Sequence, residues 1–324
     1  MNNVAVIFDT NAYRILLYDN DGKLRETGEV KALFTRIREK QTEVQIKSYC
    51  NPFVLLELLA HIASQTDTSY WACKRAIVGA VEHCTSIDGL SLIENSESNL
   101  CLLLFGRIAD EDKQSTEVIM KIAGSIYADD SDENIERFKA SLVEIANSVD
   151  AIEKQFVDDM KTYVVDAVGN CEADWQLFKG DSLSQNEFLK HVRSDDFYTE
   201  WAKGQVIKSA NALNIKSIYE PEMKVKIEII KEMFKAPFAI YREILERLAG
   251  SGYNLLKDKR ENSVWDMSIM FSCAANARLN GQQPVLVTND RMMANAAKAV
   301  GLEHLCMSVD NYLTEIKMPD ILEE

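Results

Sequence analysis

Two short apolar runs lie near opposite ends of the chain, Val4-Ala-Val-Ile-Phe8 and Pro284-Val-Leu-Val-Thr288, and each gives way to an acidic turn, Asp9-Thr-Asn11 and Thr288-Asn-Asp290. Apolar runs without alternation read as strands buried on both faces, as in a parallel sheet covered by helices. The chain is therefore expected to be α/β. Asp9 and Asp290 then stand just past the carboxyl ends of buried strands, where open α/β sheets bind ligands.

Two further carboxylates are placed by helix signals. A strand is expected over Val44 to Tyr49, followed by a helix with Asn51 as cap and Pro52 at its first position. Glu57 falls less than two turns into that helix, whose buried stripe is expected to be Phe53, Leu56, Leu59 and Ala60. Near the other end, Asn262 or Ser263 caps a helix with Asp266 in its first turn, where the dipole and free N–H groups favour negative charge. Trp265, Ile269, Met270 and Cys273 recur along it at core spacing, and a last helix is expected over Met292 to Val300. Four carboxylates delivered to one pocket repel one another at neutral pH unless divalent cations hold them together.

These four segments, FDTN, the glutamate of the NPFVLLELLAHI helix, the aspartate opening WDMSIMFSCAA, and LVTND, resemble the PIN domain family of Rossmann-like nucleases. The tail is similar too, with His304-Leu-Cys-Met-Ser308 as a last strand and Asp310-Asn-Tyr-Leu313 as a short helix. The resemblance covers roughly residues 1–65 and 256–324 and implies a PIN-like core with a central parallel sheet flanked by helices. It also implies a metal-dependent nuclease in which Asp9, Glu57, Asp266 and Asp290 hold one or two Mg²⁺ or Mn²⁺ ions and cut phosphodiester bonds. An endoribonuclease is the expected activity, with DNA as second substrate. Thr10, Asn11, Ser263, Thr288 and Asn289 are expected to orient the carboxylates and the strand-to-helix turns. Arg14, Lys259, Arg260 and Arg291 are the candidates for touching phosphate oxygens.

Residues 66–255 have no counterpart in a small PIN domain and read as a helical insertion. Ile135, Phe138, Leu142, Ile145, Val149, Ile152, Phe156, Met160 and Tyr163 are spaced by three and four within a helix expected over 132–168, which makes a coiled-coil-like seam. Other helices are expected near 69–84, 110–127, 185–213 and 221–249, the last bent at Pro237. The insertion is expected to serve as a scaffold, a homo-oligomerisation or partner-binding arm, or a lid over the site.

Net charge is −15, the wrong sign for a protein that grips phosphate backbones electrostatically. Residues 1–65 carry 8 basic and 8 acidic side chains and residues 256–324 carry 7 and 10, so −12 of the total sits in the insertion. Two divalent ions would turn the two terminal pieces from −3 to about +1. Seven cysteines without a CxxC pair fit reduced thiols in a cytoplasm rather than a disulfide framework or zinc site. No leader or spanning segment is expected, hence no membrane partner.

Three rival readings remain. A haloacid-dehalogenase-like phosphatase would need an acid where Asn11 stands. An inactive PIN-like scaffold would act through the helical insertion as a protein-interaction or oligomerisation module. A toxin would share the chemistry in a smaller chain, and a bacterial stress or phage-defence role would use the insertion as a sensor.

Overall fold

The computed structural model describes residues 4–86, 89–168, 178, 181–250, 255, 262–273 and 281–322, with the side chains at 111, 112, 165, 167, 168 and 273 excepted. Strand β1 (Val4–Phe8) leads through α1 (Thr10–Ile15) and α2 (Thr27–Glu43) to β2 (Ile46–Tyr49). Helices α3 (Pro52–His61) and α4 (Tyr70–Cys84) follow, then a two-stranded pair, β3 (Thr85–Ser86) and β4 (Gly89–Leu90). A helical stretch comes next: α5 (Ser96–Phe105), α6 (Asp110–Ala128), α7 (Asp132–Glu136), α8 (Lys139–Val168), α9 (Ser182–Val192), α10 (Asp195–Ala212), α11 (Glu220–Met233) and α12 (Lys235–Ala249). The chain then returns to the sheet through α13 (Ser263–Met270), β5 (Gln283–Val287), α14 (Arg291–Ala299), β6 (Cys306–Met307) and α15 (Val309–Glu315).

The sheet is four-stranded and parallel, in the order β2-β1-β5-β6. β1 is buried along its whole length, as its unbroken apolar run requires. Val4 pairs with both Ile46 and Gln283, and Phe8 pairs with Val287, so residues 4 and 283 share a register although most of the chain separates them. Because the path from β1 goes first to β2 on one side and later to β5 on the other, the switch point of the sheet lies between β1 and β5.

Several elements depart from the sequence reading in instructive ways. β2 starts at Ile46 because Gln45 takes a positive φ of 58° and turns the chain out of α2 first. The helix expected over 132–168 comes as two pieces, with Arg137 and Phe138 forming a turn between α7 and α8. Its seam nevertheless stays in phase: Ile135, Leu142, Ile145, Val149, Phe156 and Met160 are buried. α8 is 30 residues long, about 45 Å at 1.5 Å per residue, and it packs along α3. Much of the seam is thus filled from within the chain rather than by a second copy.

The 185–213 helix divides at Ser194, whose hydroxyl accepts from the Phe197 N–H at 3.1 Å and caps α10. Pro237 does not bend a helix. The break falls at Phe234, and Pro237 sits in the first turn of α12, where its missing N–H has no intrahelical acceptor to lose. Helix α5 was not expected, although Asn95 caps it and Gly106, at φ 71°, ends it in the left-handed conformation.

The division at residue 65 also cuts through packed structure. α4 packs on α2 and α3 and touches β2, so it belongs to the layer that covers the sheet. Buried side chains of the insertion and of both terminal pieces run together in one hydrophobic cluster. Among the described residues no helix is long and apolar enough to cross a membrane.

Candidate active site

Each of the four acids arrives on the element that its local sequence dictates. Asp9 follows β1, its N–H extends the sheet ladder to the Val287 carbonyl at 3.2 Å, and its carboxylate caps α1 by accepting from the Ala12 N–H at 2.5 Å. Asp290 follows β5 and caps α14, accepting from Met292 and Met293 N–H at 2.7 and 3.0 Å. Glu57 lies on α3, which Asn51 caps through the Phe53 N–H at 2.9 Å with Pro52 at the first helical position. Asp266 lies in the first turn of α13.

The charges of Glu57 and Asp290 reach both Asp9 and Asp266. Asp9 is 2% exposed, and burial pushes its carboxyl up to about 7, against the pull of the Thr288 and Ala12 hydrogen bonds, with the charges of Asp290 and Glu57 adding to the rise. Asp266, half-buried, is pushed up to about 8, first by desolvation and then by the charges of Asp290, Glu57 and Asp9. Among the described residues, none of the groups setting these two shifts is a lysine or arginine. Asp9 and Asp290 thus follow the neighbouring strands β1 and β5, on either side of the switch point.

Two threonines hold the carboxylates in place. Thr10 is buried and donates its hydroxyl to Glu57 Oε2 at 2.6 Å, which ties α1 to α3. The Thr288 hydroxyl donates to Asp9 Oδ2 and accepts from the Asp290 N–H at 2.9 Å, so one side chain links the acids of both strands. Asn289 does a different job: its side-chain oxygen accepts from the Val309 N–H at 2.9 Å and fixes the turn into α15.

Other expected residues fall elsewhere. Asn11 is exposed on α1 and makes no hydrogen bond to the acids among the described residues. Ser263 is buried at the first position of α13, while Asn262 is the cap residue and caps without a side-chain hydrogen bond. Arg14 is half-buried and Arg291 exposed, and neither has an ion-pair partner among the described residues. Lys259 and Arg260 lie outside the described residues.

The expected stripe of α3 also needs correction. Val54, Leu55, Leu58 and Leu59 are its fully buried side chains, whereas Phe53, Leu56 and Ala60 are only partly covered. The reason is that α4, α6 and α8 all pack on α3, so no single stripe serves.

Whether the set suits a metal turns on its donors. Carboxylate oxygens are the hard ligands that Mg²⁺ and Mn²⁺ prefer, and two of the four acids resist ionising without a nearby cation. The side chains do not converge as they stand: among the described residues no three His, Cys, Asp or Glu groups are disposed to hold one ion. Their hydrogen bonds explain this, since Asp9, Glu57 and Asp290 each turn oxygens toward Thr288 and Ala12, Thr10, and two helix amides respectively. The chemistry fits a hard divalent ion, and a rotation of these side chains would have to bring the oxygens together.

A buried polar network beside β1 carries no periodic signal and was not legible in the sequence. His83 on α4 is 2% exposed and meets the Tyr13 hydroxyl at 3.2 Å through Nδ1, and Gln41 and Ser48 at 2.9 and 2.7 Å through Nε2. Phe8, the residue before Asp9, packs edge-on against His83 with ring centroids 4.5 Å apart. The polar cluster around His83 is therefore satisfied, and it adjoins β1 through Phe8. Comparison of the chain with family profiles, curated proteins and solved structures found no match.

Proposed function

We propose that the chain is a divalent-metal-dependent nuclease built on a PIN-like core, hydrolysing phosphodiester bonds with RNA as the favoured polymer. The observation that supports this reading is the placement of Asp9 and Asp290 just past neighbouring strands at the switch point of a parallel sheet, with the charges of Glu57 and Asp290 acting on both Asp9 and Asp266.

Asp9, Glu57, Asp266 and Asp290 would hold the ions. When bound, one or two Mg²⁺ or Mn²⁺ ions supply Lewis-acid polarisation of the phosphodiester and a water acidic enough to attack it near neutral pH. Thr10 and Thr288 keep Glu57 and Asp9 oriented from behind. The protein itself provides no nucleophile in this scheme, and the half-buried Arg14 and exposed Arg291 stand close in sequence to the acids for contact with phosphate oxygens. The net charge of −15 works against unspecific binding of duplex DNA, so selection falls to what fits the pocket.

A second reading, an inactive PIN-like scaffold, draws on the lack of a ready-made ligand set among the described acids. Its oligomerisation variant is weakened by the packing of α8 on α3 within the same chain. One experiment separates the readings: end-labelled single-stranded RNA, single-stranded DNA and duplex DNA are incubated with the protein in Mn²⁺, Mg²⁺ or EDTA, beside Asp9→Asn and Asp290→Asn. Cleavage of RNA that needs metal and disappears in both variants is the expected result. Cleavage that persists in EDTA, or in both variants, would overturn the proposal, and no cleavage of any polymer would leave the scaffold.

A further inference from the structure

Helices α3 and α13 each have a second working side. Away from the four acids, Phe53 and Leu56 of α3 and Trp265 and Ser268 of α13 line a cleft of about 920 Å³. Its remaining walls come from α5, α6, α8, α10 and α12. The volume is that of a small-molecule site, and apolar walls with a few polar groups are what such sites present.

The aromatic surface is grouped. Phe53 and Trp265 lie with ring centroids 5.8 Å apart, and Trp201 stands 6.4 Å from Tyr241 and 6.0 Å from Phe271. The α8 wall departs from the seam logic at one residue. Ile152 occupies a seam position, between buried Val149 and Phe156, yet it is 39% exposed because it faces the cleft instead of another helix. Leaving an isoleucine open there is unfavourable unless something apolar covers it.

The charges around the cleft are mostly negative. Glu97, Glu144 and Asp159 line it, and the only cation among its described lining residues, Lys208, is taken up by an ion pair with Glu97. Glu144 and Asp159 therefore face the space with no free cation among the described lining residues. Asp159 accepts from the Gln155 amide at 2.6 Å, and it shares the lining of the cleft with the aromatic ring of Tyr241.

We propose that this cleft is a ligand site for a small organic cation with a flat apolar body, the cationic head held by Asp159 and Tyr241 and the body covering Ile152 and the neighbouring aromatic rings. Anionic ligands, nucleotides included, are disfavoured by the two unopposed acids, so the cleft is not an extension of the phosphodiester site. The proposal does not depend on the nuclease reading.

Calorimetric titration of the full-length protein with three probes of one shape tests it: (2-naphthylmethyl)trimethylammonium, 2-naphthylmethanol and 2-naphthoate. The cation should bind about ten-fold or more tightly than the alcohol, the scale of a cation–π contact beside a carboxylate, and the carboxylate probe should bind weakest. Asp159→Asn should bring the cation down to the affinity of the alcohol. Ile152→Trp adds bulk at a partly exposed position, and it should abolish binding while circular dichroism and the melting curve stay as in the parent. Absence of binding by all three probes, equal or better binding of 2-naphthoate, or undiminished cation binding in Asp159→Asn or in folded Ile152→Trp would overturn it.

Discussion

Replacing Asp9 by asparagine should stabilise the metal-free protein, and more so the higher the pH. Asp9 is 2% exposed and its carboxyl is raised from 3.8 to about 7, chiefly by burial. A carboxyl raised on folding binds its proton more tightly in the folded chain than in the unfolded one, so its contribution to stability falls as pH climbs between the two values and levels off above the folded one. At 1.36 kcal/mol per tenfold difference, the full penalty is about 4 kcal/mol, of which about 2 to 3 kcal/mol develops between pH 5 and pH 8.

Asparagine carries no charge, can still accept from the Ala12 N–H, and sets an amide against the Thr288 hydroxyl at a cost of about 1 kcal/mol. The variant should be close to the parent at pH 5 and more stable by about 1 to 3 kcal/mol at pH 8, a shift of a few degrees in the melting midpoint for a chain of this size. Thermal melts in EDTA at half-unit steps from pH 5 to 8.5 measure it, with the parent curve falling more steeply than that of the variant. Parallel curves, or a variant that grows less stable than the parent as pH rises, would refute the assignment of Asp9 as a buried, reluctantly ionised acid.

Thr288→Val removes the hydroxyl that joins Asp9 to the Asp290 amide, and should cost about 1 to 3 kcal/mol in urea unfolding, more at pH 8 than at pH 5 because the lost bond favours the ionised acid. A midpoint unchanged at both pH values would show that the link is idle. Gly79→Ala on α4 would set a Cβ 2.5 Å from Cε2 of fully buried Phe34, so the clash should outweigh the better helix propensity of alanine and leave a net loss of about 1 to 2 kcal/mol. A stabilised Gly79→Ala protein would mean that α2 and α4 are not packed as closely as described.

The parts of the fold legible in the sequence are those with local causes. β1 could be read because Val4 to Phe8 is apolar without alternation, and α3 because Asn51-Pro52 is a cap followed by a residue that needs no N–H partner. The same local signals brought Asp9, Glu57, Asp266 and Asp290 to the right ends of the right elements. Thr10 and Thr288 could be named as positioning residues, but only the tertiary structure pairs them with Glu57 and Asp9, across 47 and 279 positions.

What failed depended on context that a periodic pattern does not hold. The buried stripe of α3 was misread because helices α4, α6 and α8 all pack on it. Ile152 read as one more seam residue, since nothing in its spacing distinguishes a cleft wall from a packed interface. His83 has no periodic signature, and its role emerges only when Tyr13, Gln41 and Ser48 converge on it from separate elements.

The most direct test of the four-acid site is calorimetric titration of metal-stripped protein with Mn²⁺ near pH 7, in two buffers of different ionisation heat, beside Asp9→Asn, Glu57→Gln, Asp266→Asn and Asp290→Asn. Asp9 and Asp266, raised to about 7 and about 8, carry protons there that an ion must displace, so binding should release protons and its apparent heat should change with the buffer. Each variant should weaken binding by about ten-fold or more, the scale of losing one charged ligand. Absence of binding by the parent, or binding that neither releases protons nor responds to any of the four substitutions, would contradict the assignment of these carboxylates to a single metal-holding site.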